Sequence, residues 1–194
     1  AMDQLVNQAA KIHYMYAGQY RVPMVLRTAA GAGRGYGASH SQSFEAWLIH
    51  VPGLKVVAPS DPADAYGLLR TAIRDENPVV FIENKLLYGK QADVDATKLG
   101  PIPLGRARLR RSGKDITVVS YGRMLDMSLE AAGILAAEGI SCDVIDLRSL
   151  KPLDLEMIVT SVRRPTRLVL VEEGTGGVGA ERAARVMETC GEVL

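Results

Sequence analysis

Four glycines at alternate positions lie directly ahead of a histidine, and this stretch of the sequence is the best suited to chemistry. The glycines are Gly31, Gly33, Gly35 and Gly37, and His40 follows between two serines. Glycine permits backbone conformations that other residues resist, and it lets another group approach the main chain closely. An imidazole can exchange a proton near neutral pH. The pattern fits a loop with a catalytic histidine or a surface loop with a capping histidine, and these residues alone favour neither.

Strands and helices are predicted to alternate around this loop in the first half of the chain. Asp61 can cap a helix whose first turn contains Pro62, and the residue before Pro78 ends that helix. Apolar runs and helical spacing give the other elements. The predicted strands are 22–28, 54–58 and 79–83, and the predicted helices are 3–17, 43–51 and a segment from about 62 to 77. Such alternation implies parallel strands covered by helices.

A second alternating series follows a stretch of irregular character. Residues 85–106 have no sustained period and contain prolines, so we interpret them as an interdomain connection. The later predicted strands are 116–120, 142–147 and 167–171, and the later predicted helices are 124–138, a short one after Pro152, and 179–190. The sequence therefore predicts an α/β fold of two consecutive three-layer domains with mainly parallel sheets, at 1–84 and 107–194.

Charge and cysteine usage restrict the possible partners and compartments. The net charge of +1 gives no reason to expect nucleic acid as a partner. No apolar run approaches the roughly 20 residues that cross a bilayer, so no membrane partner is expected either. Cys142 and Cys190 lie far apart and are predicted to be buried thiols rather than a disulfide or metal ligands. A cytoplasmic or organelle-matrix setting fits this usage.

A glycine-rich turn near residue 175 has the form of a dinucleotide-binding motif. Residues 174–179 match G-x-G-x-x-G, after a predicted strand and before a predicted helix. The turn comes late in its domain, however, and the acidic ribose partner would fall about 20 residues on, past residue 194. A turn that lets a helix pack closely on a sheet is favoured over a nicotinamide site.

Several stretches together closely resemble the beta subunit of the thiamine-dependent decarboxylase in 2-oxo acid dehydrogenase complexes. The first is Ala-Ser-His-Ser-Gln-Ser at 38–43, followed by Pro-Gly-Leu-Lys-Val-Val-Ala-Pro-Ser at 52–60. The match extends through residues 72–83, 146–154 and 172–181. The Glu-Asn-Lys-Leu-Leu-Tyr-Gly form at 83–89 is more similar to the pyruvate and acetoin branches than to the branched-chain one.

The resemblance implies a pyrimidine-binding thiamine-diphosphate domain followed by a transketolase C-terminal-like domain, in an α₂β₂ heterotetramer. Thiamine diphosphate would lie between subunits, with Mg²⁺ and the diphosphate held by the alpha subunit. The implied reaction is oxidative decarboxylation of a small 2-oxo acid, with pyruvate favoured, and acyl transfer to the lipoyl-lysine of an acyltransferase core. The implied location is the bacterial cytoplasm, favoured over the mitochondrial matrix.

The same resemblance carries a catalytic residue onto this sequence. His40 matches the active-site histidine of the family. The glutamate that contacts the cofactor's pyrimidine ring belongs to a segment ahead of residue 1, and the family's usual end lies beyond residue 194. We therefore predict no cofactor-binding residue here, and we expect this chain alone to be inactive.

A potassium site is implied as well, because it occurs in some members of the family. Its ligands there are mainly main-chain carbonyls, which a helix C-terminus can supply. The matching positions are Met24, Ala72, Ile73, Asp75 and Asn77. The alternative interpretation of this segment is an ordinary helix end before Pro78.

Other functions remain open from the sequence. The chain could be a noncatalytic assembly piece of such a complex, or the beta subunit of an acetoin or branched-chain 2-oxo acid dehydrogenase. It could also belong to another transketolase-like enzyme. A sugar-phosphate substrate would call for additional basic phosphate contacts, which the sequence does not identify.

Overall fold

The computed structural model describes residues 1–95, 97 and 99–193, and these form two four-stranded sheets with helices packed on them. The strands are β1 (Val25–Ala30), β2 (Lys55–Val57), β3 (Val79–Asn84), β4 (Arg108–Arg111), β5 (Ile116–Ser120), β6 (Cys142–Asp146), β7 (Ser149–Lys151) and β8 (Leu168–Val171). The helices are α1 (Ala10–Met15), α2 (Glu45–His50), α3 (Pro62–Arg74), α4 (Met124–Ala137), α5 (Leu155–Val162) and α6 (Val178–Cys190).

The first sheet has the strand order β1-β3-β2-β7. β3 pairs in parallel with β1 and β2, and Val79 lies opposite both Val25 and Lys55. Apolar residues occupy consecutive positions of β2 and β3 because both faces of these strands are covered. β7 pairs with β2 in the antiparallel direction, with Ser149 opposite Val57. The second half of the chain therefore contributes one strand to the first sheet.

The second sheet has the strand order β4-β6-β5-β8. β5 lies between β6 and β8 and is parallel to both, whereas β4 is an antiparallel edge strand beside β6. Strand β6 is buried along its whole length. The predicted α/β fold with two mainly parallel sheets is confirmed.

One apolar cluster joins the two sheets. It includes Val56 and Val80 of the first sheet, Val119 and Ile145 of the second, and Ile158 of α5. Burial of this surface removes apolar area of both sheets from water, which stabilises the two sheets as one unit. The domain limits at 84 and 107 remain a prediction.

All of the predicted strands and helices occur, with differences at their ends. The first helix starts with a π-helical stretch, Gln4–Ala9, before α1. The Asp61 side chain caps α3 as predicted, because it accepts a hydrogen bond from Asp64 N at 2.8 Å. Both cysteines are free and buried, also as predicted. Strands β4 and β7 were not predicted.

The predicted linker packs against the first half of the chain. Ile102 packs on the apolar cluster that contains Leu68 of α3. A Cβ added to Gly67 would lie 2.6 Å from the Ile102 side chain, so the glycine allows this close approach. Residues 96 and 98 of the linker lie outside the described residues. Among those that are described, no helix is long and apolar enough to cross a membrane.

Candidate active site

The glycine loop connects the end of β1 to α2 in a conformation that depends on glycine. Gly31, Gly33, Gly35 and Gly37 all have positive φ angles, between 69° and 95°. A side chain is strained in this region of backbone space, which explains the alternating glycines. The loop ends in a single 3₁₀ turn, Ala38–His40.

His40 lies at the exposed end of this loop. Its side chain is exposed, and its carbonyl oxygen accepts a hydrogen bond from Lys85 Nζ. The Lys85 ammonium also lies 5.8 Å from the centre of the Tyr36 ring, within the range of a cation–π contact. Arg34 Nη2 donates to the Lys85 carbonyl at 3.2 Å. Lys85 therefore holds the loop through the His40 carbonyl and the side chains of Arg34 and Tyr36, while the imidazole stays accessible.

The base of the loop is closed by polar contacts to the second half of the chain. Gly31 N donates to Gln42 O at 3.0 Å. Ala32 N donates to Glu173 Oε1 at 2.8 Å, and Asn84 Nδ2 donates to Glu173 Oε2 at 2.7 Å. Glu173 follows β8, and Asn84 ends β3, so two strand ends from different sheets meet beneath the loop.

Further titratable groups surround Glu173. Burial raises the pKa of Glu45, and the charges of Glu173 and Glu172 raise it further. Burial also raises the pKa of the Tyr121 phenol, whose hydroxyl lies 3.4 Å from Glu172 Oε2. Arg123 Nη1 lies 3.8 Å from Glu173 Oε1. The cluster places an acidic, largely buried environment behind the loop and favours the neutral form of Glu45.

The five residues predicted for potassium lie around the end of α3 and the adjacent strand entries. Asp75 caps α3, and its amide donates to Ala72 O at 3.2 Å. Met24 O accepts from Val79 N at 3.0 Å, while Asn77 N donates to Asp75 Oδ1 at 2.9 Å. Ile73 is exposed. The main-chain carbonyls of Ala72 and Met24 each keep a second lone pair for a cation. Potassium binding stays a prediction.

The charge of Asp75 already has a partner, since Lys55 Nζ forms an ion pair with its carboxylate. A cation beside Asp75 would therefore depend on carbonyl oxygens rather than on this side chain. In the described part of the chain, no group of three or more His, Cys, Asp or Glu side chains could hold a metal ion.

The glycine turn at 174–179 packs a helix closely against its neighbours. A Cβ on Gly177 would lie 2.6 Å from the Ala46 side chain of α2, and one on Gly179 would lie 2.9 Å from Glu172 Oε1. Gly179 N also donates to Glu172 Oε2 at 3.0 Å. These contacts account for Gly177 and Gly179 by packing.

A cavity of about 670 Å³ lies away from the His40 loop, between α2, β7 and α6. Two of its basic side chains, Lys151 and Arg182, already bind main-chain oxygens. Lys151 Nζ donates to Ile49 O and Val51 O, both at 2.8 Å, and Arg182 donates to Val178 O and Leu150 O at 2.6 and 3.0 Å. These cations hold helix and strand ends in place, and His40 does not line the cavity.

Two family models match nearly the whole chain and define its class. Residues 2–91 match the pyrimidine binding domain of transketolase, and residues 105–194 match the transketolase C-terminal domain. The chain belongs to the transketolase-like family that these two domains characterise.

The individual relatives are beta subunits of pyruvate dehydrogenase. The chain is 49% identical over 199 residues to the pyruvate dehydrogenase E1 component subunit beta-2, mitochondrial, of Oryza sativa subsp. japonica. It is 50% identical over 194 residues to the mitochondrial beta subunit of Caenorhabditis elegans. It is 48% identical over 196 residues to the pyruvate dehydrogenase E1 component subunit beta of Rickettsia felis. The alignments cover 97–100% of this chain but only 53–60% of these relatives. The predicted resemblance is confirmed.

A solved structure agrees with this family. The structure described as "Split gene transketolase, inactive beta4 tetramer" superposes with a TM-score of 0.79 at 29% identity. The match covers 98% of this chain and 59% of that one. The fold of this chain is thus shared with that solved structure.

Sequence reasoning identified His40 but missed Glu173 and Asn84. Asn84 ends β3 and Glu173 lies two residues beyond β8, and carboxyl ends of parallel strands are where α/β proteins place their sites. The signal available was a polar residue within two positions of the end of each predicted strand, at 83 and 171. The pairing of one strand end with the other depends on how two sheets meet, which no local pattern shows.

Proposed function

We propose that this chain is part of the beta subunit of a thiamine-diphosphate-dependent 2-oxo acid dehydrogenase that acts on pyruvate. The observation that carries the proposal is the 48–50% identity to pyruvate dehydrogenase beta subunits over nearly the whole chain. The accessible His40 on its glycine loop supports a catalytic role for this half of the site. The proposed reaction is oxidative decarboxylation with acyl transfer to a lipoyl-lysine.

The loop residues fit the cofactor as one wall of its site. Bound thiamine diphosphate supplies the electron sink for decarboxylation. Gly35 and Gly37 have no heavy atom within 4 Å of an added Cβ, so open space adjoins the main chain where another molecule can approach. Donors that hold Mg²⁺ and the diphosphate are proposed to come from the alpha subunit.

His40 is proposed to handle protons in the second half of the reaction. When the lipoyl disulfide opens, one sulfur takes the acyl group and the other leaves as a thiolate that needs a proton. An imidazolium at the exposed position of His40 can donate that proton and then regain one from solvent. The bonds of the loop to Lys85 and Gln42 keep the ring in place for this step.

The partners proposed for the whole protein follow from its relatives. They are an alpha subunit in an α₂β₂ heterotetramer, a lipoyl acyltransferase core and a small 2-oxo acid. A potassium ion at the end of α3 is proposed as a structural ligand. Relatives of both mitochondrial and bacterial origin occur, and we propose the bacterial cytoplasm as the location.

The proposal is tested by reconstituting the full-length subunit with its alpha subunit and measuring lipoamide-dependent turnover. The kcat/KM for pyruvate is expected to be roughly tenfold or more above that for a branched-chain 2-oxo acid and that for acetoin. This is the scale of discrimination that an apolar pocket provides. Calorimetric titration should show thiamine diphosphate binding to the complex. A complex that turns over the branched-chain acid or acetoin faster than pyruvate would reject the substrate assignment.

A second candidate is a noncatalytic role in assembly. It is favoured by the related split transketolase structure, which is described as an inactive beta4 tetramer. The two candidates differ in the reconstituted complex. Assembly without thiamine-dependent turnover would support the second, whereas turnover that requires both subunits would support the first. Micromolar cofactor binding by the beta subunit alone would contradict a site shared between subunits.

A further inference from the structure

The Glu173 carboxylate connects the second sheet to the loop that carries His40. Glu173 lies two residues beyond β8, and its side chain is 18% exposed. One carboxylate oxygen accepts from Ala32 N at 2.8 Å, and the other accepts from Asn84 Nδ2 at 2.7 Å. Hydrogen bonds to a charged acceptor are stronger than those between neutral groups. Each oxygen therefore holds a different segment of the first half of the chain.

Close packing at Gly31 makes this connection sensitive to position. Gly31 has a φ of 95°, and a Cβ there would lie 2.3 Å from Asn84 Nδ2 and 3.2 Å from Glu173 Oε2. The absence of a side chain is thus what lets the two groups meet beneath the loop. Because the backbone touches this pair, the position of Glu173 sets the direction in which the loop leaves β1.

The restraint at Gly31 extends to the residues next to His40. Gly31 N donates to Gln42 O at 3.0 Å, and Gln42 lies two residues beyond His40. Farther along the loop, Lys85 contacts Arg34, Tyr36 and the His40 carbonyl. Nothing lies within 4 Å of a Cβ added to Gly35 or Gly37. The orientation of the imidazole therefore depends on the base of the loop as well as on the bond from Lys85 to the His40 carbonyl.

We propose that Glu173 is a positioning residue that holds the base of the His40 loop in its reactive geometry. It acts through Ala32 and Asn84, and its effect is exerted from the second sheet on a loop of the first. The catalytic consequence rests on the function proposed above for His40. The consequence for loop order does not, so the two are measured separately.

An exchange of donor and acceptor tests the contact between Glu173 and Asn84. Glu173→Gln replaces one accepting oxygen with a donating NH₂, so one of the two hydrogen bonds is lost in either orientation of the amide. Asn84 cannot turn over to compensate, because its Oδ1 already accepts from Leu86 N at 3.0 Å. Asn84→Asp alone places two carboxylates side by side. The double variant Glu173→Gln/Asn84→Asp reverses the direction of the bond and restores it.

Two readouts follow these variants in the full-length subunit and in its complex with the alpha subunit. Hydrogen exchange of residues 31–42 is expected to become at least about tenfold faster in each single variant. The kcat for pyruvate is expected to fall roughly 10- to 100-fold with KM within about threefold, because a displaced group costs mainly the chemical step. The double variant should return both quantities to within about threefold of wild type.

Glu181→Gln is the matched control, since its carboxylate forms an exposed ion pair with Arg185 on α6. It should leave loop exchange and kcat unchanged. Unchanged loop exchange in both single variants would overturn the proposal. The proposal would also be overturned if the double variant did not regain wild-type loop exchange and kcat. The same holds if a single variant unfolds and the double variant stays unfolded. If loop exchange responds as expected but the wild-type complex has no pyruvate turnover, the positioning of the loop is supported and the proposed function is rejected.

Discussion

Arg148 and Asp64 form a buried ion pair that joins the two halves of the molecule. Arg148 Nη1 donates to Asp64 Oδ1 at 3.0 Å, and the two residues are 8% and 1% exposed. Asp64 lies in the first turn of α3, whereas Arg148 lies between β6 and β7. The same guanidinium donates to Arg106 O at 2.9 Å and 3.2 Å, so the segment before β4 is held as well.

Removing Arg148 should destabilise the fold strongly. Arg148→Ala would leave the buried Asp64 charge with the longer contacts to Arg110 and Arg108, at 3.5 and 3.9 Å. Loss of one partner from a buried pair costs about 3–5 kcal/mol. Urea unfolding of the full-length subunit measures this loss. The exposed Arg163→Ala is the control and should stay within about 0.5 kcal/mol of wild type. A loss below about 1 kcal/mol for Arg148→Ala would contradict this role.

Asp146 should make stability depend on pH between about 4 and 7. Burial, and next the charge of Asp64, raise the pKa of Asp146 to about 7. The folded state therefore keeps a proton that the unfolded state has lost in this window. Stability from this group is present below the unfolded pKa and is lost as pH rises toward 7, with a slope of at most about 1.4 kcal/mol per pH unit.

Asp146→Asn tests this dependence because the amide resembles the protonated carboxyl. The variant should gain stability relative to wild type as pH rises from 5 to 7, measured by urea unfolding at several pH values. Asp115→Asn is the control of opposite sign. Hydrogen bonds from Ser141 lower the pKa of Asp115, so its contribution is lost only as pH falls below about 4. The difference in unfolding free energy between wild type and Asp115→Asn should be constant between pH 5 and 8. A constant difference for Asp146→Asn would refute the raised pKa of Asp146.

Gly53 should tolerate no side chain, because the turn before β2 touches the backbone of α1. A Cβ on Gly53 would lie 1.8 Å from Ala10 O, and its φ is 93°. Gly139 has a similar φ of 83° but open space around an added Cβ. Both alanine variants share the backbone strain, of order 1–3 kcal/mol, and Gly53→Ala adds the displacement of α1. Thermal unfolding should show a clearly larger loss of stability for Gly53→Ala than for Gly139→Ala. Equal losses of stability would show that α1 moves away from the added Cβ at no cost.

The predictability of the elements depended on whether their cause was local. The buried runs of β2, β3, β5 and β6 and the capped start of α3 are signalled by their own residues. β7 is only three residues long, and it forms because it reaches β2 of the other sheet. No pattern within Ser149–Lys151 indicates that partner, since pairing between distant segments is decided by topology.

The residues of the candidate site also differ in whether the local sequence indicates them. His40 could be found from the glycine spacing and the family resemblance, because both are written in consecutive residues. Glu173 is one of two adjacent glutamates after β8, and nothing local shows that one of them turns toward Ala32. The raised pKa of Glu45 likewise arises from burial and from charges more than 100 residues away in the chain.

The role of His40 is tested most directly by His40→Ala in the full-length subunit assembled with its alpha subunit. Lipoamide-dependent turnover of pyruvate is expected to fall by ~10²–10⁴-fold, the usual loss of an acid–base group. His50→Ala, an exposed histidine at the end of α2, should remain within about twofold of wild type. Turnover by His40→Ala within twofold of wild type, in a complex that still assembles and binds thiamine diphosphate, would contradict the account.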